Sequence, residues 1–299
     1  MEKTLQTLTE SGILIERSYL LSGHSGFHIG GLAAAAAFPT DVEQIILLLK
    51  EMRSSRIPFL VMGNATNVVF PDKGYEGIVI FTSRMRGERI AGDTLHLEAG
   101  VSMRRAAVLA RERALTGLEF AYGIPGTVGG GIFMNAGAYG QELADVCVKS
   151  EYYNTATGSI GTLTGVDQRF FYRSSIYQEH PEWVILKAEL SLSKGEPSAI
   201  AAQMEEQQAR RRASQPLEYP NAGSVFKRPA GDYAGRLIEV CGLKGTRIGG
   251  AEVSTKHAGF IVNRGGATAR DVKDLVELIQ ERVLTSSGVT LECEIRFIE

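Results

Sequence analysis

The segment at residues 122–140 constrains this chain more than any other, because it reads YGIPGTVGGGIFMNAGAYG and carries no charged side chain. Seven of its residues are glycine. Glycine has no Cβ, so its backbone N–H groups can come close to a ligand, and Asn135 adds an amide that both donates and accepts hydrogen bonds. The segment therefore predicts a wall against which a large, flat, phosphate-bearing cofactor lies. Tight packing of two elements through glycine is the alternative.

Charge and composition exclude several classes of partner. The 299 residues contain 32 Lys and Arg against 34 Asp and Glu, a formal net charge of −2, which gives no reason to expect nucleic acid or an anionic membrane as a partner. No window reaches the ~18 apolar residues of a membrane span, and the N-terminus lacks the apolar segment of a signal peptide. Cys147, Cys241 and Cys293 have no metal-ligand spacing. We therefore expect no metal site, and buried free thiols in a cytoplasmic protein.

Hydrophobic periodicity and turn residues predict mixed helices and strands. Helices are expected at 41–54, where Thr40 to Glu43 reads as a capping box, and near 102–114, 199–212, 232–241 and 270–286. Strands are expected at 57–62, 66–70, 77–81 and 94–99, near 146–153 and 184–192, and as one alternating final strand at 289–299. The alanine run at 33–37 favours helix by propensity but a strand by its length. Residues 191–199 predict a linker.

Shorter segments contain residues suited to binding or catalysis, and each also has an ordinary structural interpretation. The turn at 63–67 suits a pyrophosphate nest or a polar hairpin, and it is not a GxGxxG fingerprint. Arg173 suits a bound carboxylate or a surface turn. Ser224 lacks the GxSxG context of a hydrolase nucleophile, which leaves proton donation or capping. Residues 242–263 either place cations where they can bind a diphosphate or form a solvated loop. The Glu294 side chain faces either a catalytic site or water.

Taken in order, these segments make the chain resemble the UDP-N-acetylenolpyruvoylglucosamine reductase family. The resemblance extends over about residues 30–297. It rests on IGG (29–31), GNATN (63–67), the glycine-rich segment, YRSS (172–175), AGSVFK (222–227), GLKGTRIGGAEVSTKHAGFIVN (242–263) and LECEIRF (291–297). It implies an α+β fold in which a two-lobed FAD-binding region of the vanillyl-alcohol-oxidase/PCMH type precedes an α/β substrate domain. The implied boundaries are 1–85, 86–195 and 199–299, with the alanine run as a strand of the first lobe.

The resemblance also implies an activity. In the family, NADPH reduces FAD, and hydride then passes from flavin N5 to C3 of the enolpyruvyl ether of UDP-N-acetylenolpyruvoylglucosamine. The product is UDP-N-acetylmuramate, which is used in peptidoglycan synthesis. The family pattern makes Arg173, Ser224 and Glu294 the catalytic residues, with Ser224 giving the proton to C2. We expect noncovalent FAD, although His24 and His28 leave covalent attachment open, and we expect a monomer.

Binding residues follow from the same resemblance. The residues expected to contact FAD are Gly63, Asn64, Ala65, Thr66, Asn67, Gly123, Ile124, Pro125, Gly126, Gly129, Gly130, Asn135, Ala136 and Gly137. The residues expected to contact substrate are Tyr172, Lys227, Arg228, Lys256 and His257. The family turn more often reads Gly-Gly-Gly-Ser-Asn or Gly-Asn-Gly-Ser-Asn, so here Ala65 adds a methyl group where bare backbone is usual. The short chain is similar to the subclass that lacks an extra loop over the substrate.

Two alternatives remain open at this point. Another FAD oxidoreductase could use the same scaffold with molecular oxygen, but the AGSVFK and LECEIRF segments lie outside the FAD lobes and argue against it. A silent flavin- or nucleotide-sugar-binding protein would be expected to lose Arg173, Ser224 or Glu294, and the sequence contains all three.

Overall fold

Seven α-helices and eighteen strands form the chain, and the computed structural model describes all 299 residues. The helices are α1 Glu2–Glu10, α2 Val42–Ser55, α3 Met103–Glu112, α4 Val128–Met134, α5 Pro197–Ser214, α6 Ala234–Val240 and α7 Ala269–Ser287. The strands are β1 Leu14–Leu20, β2 Leu32–Phe38, β3 Phe59–Met62, β4 Val68–Val69, β5 Tyr75–Phe81, β6 Glu88–Ala91, β7 Thr94–Glu98, β8 Leu115–Thr116, β9 Gly137–Ala138, β10 Gln141–Glu142, β11 Cys147–Asn154, β12 Ser159–Thr164, β13 Trp183–Ser191, β14 Ser193–Lys194, β15 Arg247–Ile248, β16 Ala251–Val253, β17 Ile261–Asn263 and β18 Arg296–Phe297. None of the helices combines the length and apolarity needed to cross a bilayer.

The chain divides into two units, each built from several separate stretches. The first unit comprises Met1–Arg17, Ala34–Asn64 and Gly77–Ala209. The second comprises Ser18–Ala33, Ala65–Glu76 and Arg210–Glu299. Residues that are distant in sequence therefore share one unit.

The first unit contains two main sheets. One has the strand order β1-β2-β5-β3, with β3 and β5 parallel. The alanine run lies in β2 as a strand, and Ala35 and Ala37 are fully buried with Ile45 and Leu49 of α2. Small side chains on this strand leave room for the helix to pack closely. The strand interpretation of the alanine run is therefore confirmed.

The start of α2 differs by one residue from the sequence expectation. Asp41 is the N-cap, and its carboxylate accepts a 2.9 Å hydrogen bond from the Gln44 N–H. The Gln44 side-chain oxygen in turn accepts from the Thr40 N–H at 2.9 Å. Asp and Thr are both good N-cap residues, so the sequence alone does not decide between Thr40 and Asp41. The capping box predicted from Thr40 to Glu43 was therefore wrong by one residue.

The second sheet of the first unit has the order β12-β11-β13-β7-β6, and all of its neighbouring strands are antiparallel. Its core includes Leu97 and Leu190 of the sheet, Ala106 of α3 and Ile132 of α4, all at most 1% exposed. Because α3 and α4 both contribute to this core, the glycine-rich segment is attached to a rigid base.

The second unit contains the antiparallel sheet β15-β16-β17 with α6 and α7. The α7 residues Val272, Leu275, Val276, Ile279 and Val283 are all buried, which confirms the predicted apolar stripe. Thr268 and Asp271 form a capping box at the start of this helix, and Gly288 ends it at φ +70°. A left-handed C-terminal residue is where glycine is favoured.

Two sequence predictions on secondary structure were wrong. Of the final strand at 289–299, only β18 pairs as a strand, parallel to β4, and Cys293 makes one isolated bridge to Phe226. The Glu294 N–H bonds to the Val225 carbonyl, and β18 then pairs with β4, so the segment changes partner along its length and forms no single strand. The predicted linker at 191–199 contains β14, which pairs with β8, and the first turn of α5. Pro197 begins that helix, a position where proline is well tolerated.

All three cysteines are free thiols, as expected. Cys147 is buried as predicted, whereas Cys241 and Cys293 are partly exposed, so the prediction that they are buried was wrong. Burial raises the pKa of Cys147 to about 12 and that of Cys293 to about 11. These two thiols are therefore poor nucleophiles near neutral pH.

Candidate active site

Two of the predicted cofactor segments meet in the first unit. Gly63 follows β3, and Thr127 is the N-cap of α4, where its hydroxyl accepts a 3.3 Å hydrogen bond from the Gly130 N–H. A Cβ at Gly63 would lie 2.3 Å from the Thr127 hydroxyl oxygen. Only glycine allows this approach, so the turn after β3 rests directly against the start of α4.

The glycines of α4 have different roles. A Cβ at Gly129 would lie 2.8 Å from Ala99 Cβ, and one at Gly131 would lie 2.8 Å from Leu143 Cδ1. The Gly129 N–H also donates to the Ala99 carbonyl at 2.8 Å. Gly130 is exposed, and its nearest contact would be 3.5 Å away. Gly129 and Gly131 therefore allow tight packing between elements, as the alternative interpretation of this segment predicted. The backbone at Gly130 is accessible to a ligand.

The turn at 64–67 has the properties of an anion site. None of the backbone N–H groups from Asn64 to Asn67 donates to a backbone carbonyl. Ala65 is buried and left-handed, with φ +49°, and its carbonyl accepts from the Gly26 N–H at 3.1 Å. Consecutive unpaired N–H groups in such a turn suit a phosphate or pyrophosphate. The residues present therefore fit the pyrophosphate of FAD.

Asn135 has a structural role within the protein. Its side chain is fully buried, and it ends α4 in a left-handed conformation at φ +43°. Its Nδ2 donates to the Phe171 carbonyl at 3.0 Å, and its Oδ1 accepts from the Ala144 N–H at 2.9 Å. The amide thus joins backbone segments inside the protein, and its contact with the cofactor stays a prediction. Its neighbours Ala136 and Gly137 follow α4, and residues 123–126 precede it.

Arg173 lies in the segment that Asn135 anchors. It has φ +54°, which is unusual for a residue with a side chain. Its guanidinium donates to the Gly137 carbonyl at 2.9 Å and lies over the Tyr172 ring, with its central carbon 5.1 Å from the ring centroid. Holding a residue in this conformation costs about 1 kcal/mol or more and requires support from its surroundings.

Gln178 supplies that support, and the sequence analysis missed it. Its Nε2 donates to the Arg173 carbonyl and to the Phe133 carbonyl, each at 3.0 Å. The Ser175 hydroxyl donates to the same Phe133 carbonyl at 2.9 Å. No motif or periodicity marks Gln178, because its role depends on carbonyl groups that only the fold brings within reach.

Ser224 and Glu294 lie on adjacent segments of the second unit. The Val225 carbonyl accepts from the Glu294 N–H at 2.7 Å, and the Val225 N–H donates to the Gly259 carbonyl at 2.9 Å. Ser224 precedes Val225, follows Gly223 at φ +79°, and is exposed. The Ser224 hydroxyl makes no hydrogen bond within the protein. It is therefore accessible to a ligand.

Asn67, the last residue of the turn, is bonded to the same segment within the second unit. The Asn67 side chain donates to the Glu294 carbonyl at 3.2 Å. The Arg296 N–H donates to the Asn67 carbonyl at 3.0 Å, next to the pairing of β18 with β4. The last residue of the predicted cofactor turn and the predicted catalytic glutamate are thus held together.

The cations predicted to bind substrate already have partners in the protein. Lys227 pairs with Glu292, and Lys256 donates to the Arg212 carbonyl at 2.8 Å. The Arg228 guanidinium lies 3.9 Å from the Tyr233 ring centroid. These contacts fix the cations in place, and their direct role in binding substrate stays a prediction.

His257 is partly buried and accepts a hydrogen bond rather than carrying charge. Its Nδ1 accepts from the Gly259 N–H at 3.1 Å, and its ring packs edge-on against Phe260 with 5.0 Å between centroids. Burial lowers its pKa from the ordinary value of 6.5. A neutral imidazole with the proton on Nε2 is therefore favoured at neutral pH, and it attracts a diphosphate less than a cation would.

Comparison with known proteins bears on the whole chain. Residues 33–164 match the family model described as FAD binding domain, and residues 215–298 match the one described as UDP-N-acetylenolpyruvoylglucosamine reductase, C-terminal domain. These matches confirm the predicted fold class and the predicted FAD-binding region.

Relatives similar over their full length indicate the same family. The chain is 44% identical to UDP-N-acetylenolpyruvoylglucosamine reductase of Caldanaerobacter subterraneus subsp. tengcongensis, covering 100% of this chain and 97% of that protein. It is 46% identical to the protein of the same name from Levilactobacillus brevis, covering 96% and 93%. The solved structure of this reductase from Thermus caldophilus superposes with a TM-score of 0.82 at 31% identity, covering 96% of this chain and 100% of that one. The chain belongs to the UDP-N-acetylenolpyruvoylglucosamine reductase family.

Proposed function

We propose that this protein is an NADPH-dependent flavoenzyme that reduces UDP-N-acetylenolpyruvoylglucosamine to UDP-N-acetylmuramate for peptidoglycan synthesis. The observation that supports this most directly is the hydrogen bond from the Glu294 N–H to the Val225 carbonyl. It brings together the AGSVFK and LECEIRF segments, which lie outside the residues matched by the FAD binding domain model and contain two of the three proposed catalytic residues.

FAD is held by the chain's own backbone in this proposal. The N–H groups of residues 64–67 bind its pyrophosphate, and the exposed backbone at Gly130 allows close approach. The contact between Gly63 and Thr127 holds the end of β3 against the start of α4 within the first unit. When bound, FAD supplies the hydride that it has received from NADPH.

Arg173 binds the substrate carboxylate. Reduction at C3 places negative charge at C2, and this charge spreads into the adjacent carboxylate. A guanidinium with fixed orientation stabilises such charge better than a mobile one, because it needs no reorganisation during the reaction. The hydrogen bond from Arg173 to Gly137 and the support from Gln178 provide that orientation.

Ser224 donates the proton to C2, and Glu294 shares a proton with the developing charge. The exposed Ser224 hydroxyl has no competing partner in the protein, which suits a group that donates to a ligand. A serine hydroxyl is a weak acid, so the site has to stabilise the alkoxide that remains. The Lys227 ammonium, held by Glu292, is one cation close in sequence that can contribute.

The reaction can be tested by following NADPH oxidation with and without the enolpyruvyl substrate, in air and without oxygen. We expect rapid oxidation only with substrate present and no need for oxygen. In D₂O, mass spectrometry should find solvent deuterium at C2 of UDP-N-acetylmuramate. Oxidation that requires oxygen and ignores the substrate would instead identify an oxidase.

We also propose that the protein is a cytoplasmic monomer with noncovalent FAD. The free state of all three cysteines is consistent with a reducing compartment. Size-exclusion chromatography with light scattering tests the oligomeric state. Denaturation followed by filtration tests the attachment of the flavin, because a noncovalent flavin leaves the chain.

A further inference from the structure

We propose that a second site, remote in sequence from the residues assigned to FAD and substrate, binds a soluble polyphosphate. The site is a hollow of about 500 Å³ in the first unit. We call it the basic hollow, and its lining residues are Lys50, Arg53, Ser54, Arg56, Tyr153 and Gly158.

Three cations surround the basic hollow without a balancing carboxylate. Lys50 and Arg53 belong to the last two turns of α2, and Arg56 is the C-cap residue, at φ +52°. All three side chains are exposed, and none makes an ion pair within the protein. A helix C-terminus attracts cations, but three like charges around one hollow also repel each other. An anionic ligand would relieve that repulsion.

Tyr153 supplies an independent observation. Its side chain is only 2% exposed and packs in the apolar core with Leu49 and Met52, yet it also lines the hollow. Its hydroxyl makes no hydrogen bond within the protein. The ring is buried, but the hydroxyl oxygen is not among the buried unpaired atoms, so it is accessible from the hollow. A hydroxyl that faces a basic hollow without an internal partner can donate to a bound anion.

Gly158 lets these groups converge. It lies in the turn between β11 and β12 at φ +81°. A Cβ here would be 3.2 Å from Arg53 Nη1 and 3.6 Å from the Tyr153 hydroxyl oxygen. The guanidinium and the phenol therefore approach the same point beside exposed backbone.

The chemistry of the hollow selects the class of ligand. Its volume falls within the range of about 300–1,000 Å³ typical of small-molecule sites. Two guanidinium groups match the geometry of phosphate oxygens, which they bind through paired N–H groups. Three cations and one hydroxyl donor suit two or three linked phosphates, as in tripolyphosphate or a nucleoside triphosphate.

Isothermal titration of the FAD-loaded protein with tripolyphosphate tests the proposal. We expect saturable binding that the double variant Arg53→Ala/Arg56→Ala weakens at least about 30-fold, because charge-assisted hydrogen bonds to phosphate are strong. The matched control is Arg111→Ala/Arg113→Ala, which removes two exposed arginines, without ion-pair partners, at the end of α3. The control should change affinity less than about 2-fold.

Tyr153→Phe keeps the ring and removes the unpaired hydroxyl. We expect it to weaken tripolyphosphate binding about 3- to 10-fold without lowering the Tm of the ligand-free protein, since no internal hydrogen bond is lost. Turnover of the enolpyruvyl substrate should be unchanged in all these variants. Absence of saturable binding, binding retained by the Arg53/Arg56 variant, or equal loss in the control would each overturn the proposal. If the double variant fails to fold, Lys50→Ala and Tyr153→Phe carry the same comparison.

Discussion

The Asn67 side-chain amide donates a 3.2 Å hydrogen bond to the carbonyl of Glu294, which lies 227 residues further along the chain. Asn67 ends the turn that we propose binds the FAD pyrophosphate, and Glu294 is a proposed catalytic residue. Cofactor binding and substrate chemistry therefore share one backbone junction within the second unit. Changes on either side of this junction can affect both.

Ser224→Ala separates the two half-reactions. Because the hydroxyl is proposed to act only after hydride transfer to substrate, flavin reduction by NADPH should stay close to the wild-type rate. Reoxidation by substrate should slow by about 10²-fold or more. Rapid-mixing measurements of each half-reaction check this, with Ser286→Ala, an exposed serine of α7, as the control. An unchanged reoxidation rate would remove Ser224 from the mechanism.

Gln178→Ala should act through Arg173. Loss of the amide frees the Arg173 carbonyl, so we expect reoxidation by substrate to slow about 10-fold, from poorer positioning of the guanidinium. In the Arg173→Ala background the same change should have almost no further effect, because there is no guanidinium left to position.

The control for this coupling is Gln168→Ala. Gln168 is also buried and donates to the Cys147 carbonyl at 2.9 Å, but it makes no contact with Arg173. Gln168→Ala should lower the Tm, and any effect on the rate of flavin reoxidation should be the same in the wild-type and Arg173→Ala backgrounds. Equal coupling for Gln168 and Gln178 would mean that Gln178 has only a general structural role.

Ala65→Gly should be well tolerated although it deletes a buried methyl group. The left-handed conformation at φ +49° costs alanine roughly 1–2 kcal/mol, and glycine removes this strain. The substitution also loses about 0.8 kcal/mol of hydrophobic burial for one CH₂-sized group and increases the backbone entropy lost on folding. The gain and the two losses nearly cancel. We expect the free energy of unfolding to change by less than about 1 kcal/mol. Ala106→Gly, at a buried position in α3, should cost more than that. Urea unfolding compares the two, and equal losses would contradict the strain at residue 65.

His257 makes stability depend on pH in a defined direction. Its pKa is lowered in the folded protein, so at mildly acidic pH the unfolded chain binds a proton that the folded one does not. The free energy of unfolding should therefore fall as pH decreases below about 6.5, the unfolded value. His257→Gln should flatten this dependence between about pH 7 and 5, and His28→Asn, at an exposed histidine, controls for the loss of a histidine. A profile equally steep in His257→Gln would contradict the assignment.

The sequence predicted those features that depend on local pattern or on motif. The stripe of α7 and the strand at the alanine run follow from periodicity and length, and the folded units contain both. The final segment failed because its backbone pairs with Val225 and then with β4, a change of partner that alternation does not encode. The sequence does not reveal that the Asn135 amide bonds to two backbone groups, because its burial and these partners depend on tertiary structure. Gln178 gave no signal for the same reason.

In the proposed reaction, the enolpyruvyl substrate reoxidises the flavin that NADPH has reduced. The most direct measurement reduces the FAD-loaded protein with one equivalent of NADPH without oxygen and then mixes it with UDP-N-acetylenolpyruvoylglucosamine. We expect full return of the oxidised flavin absorbance, with one UDP-N-acetylmuramate formed per flavin. Flavin that stays reduced with this substrate but reoxidises on admission of air would contradict the account.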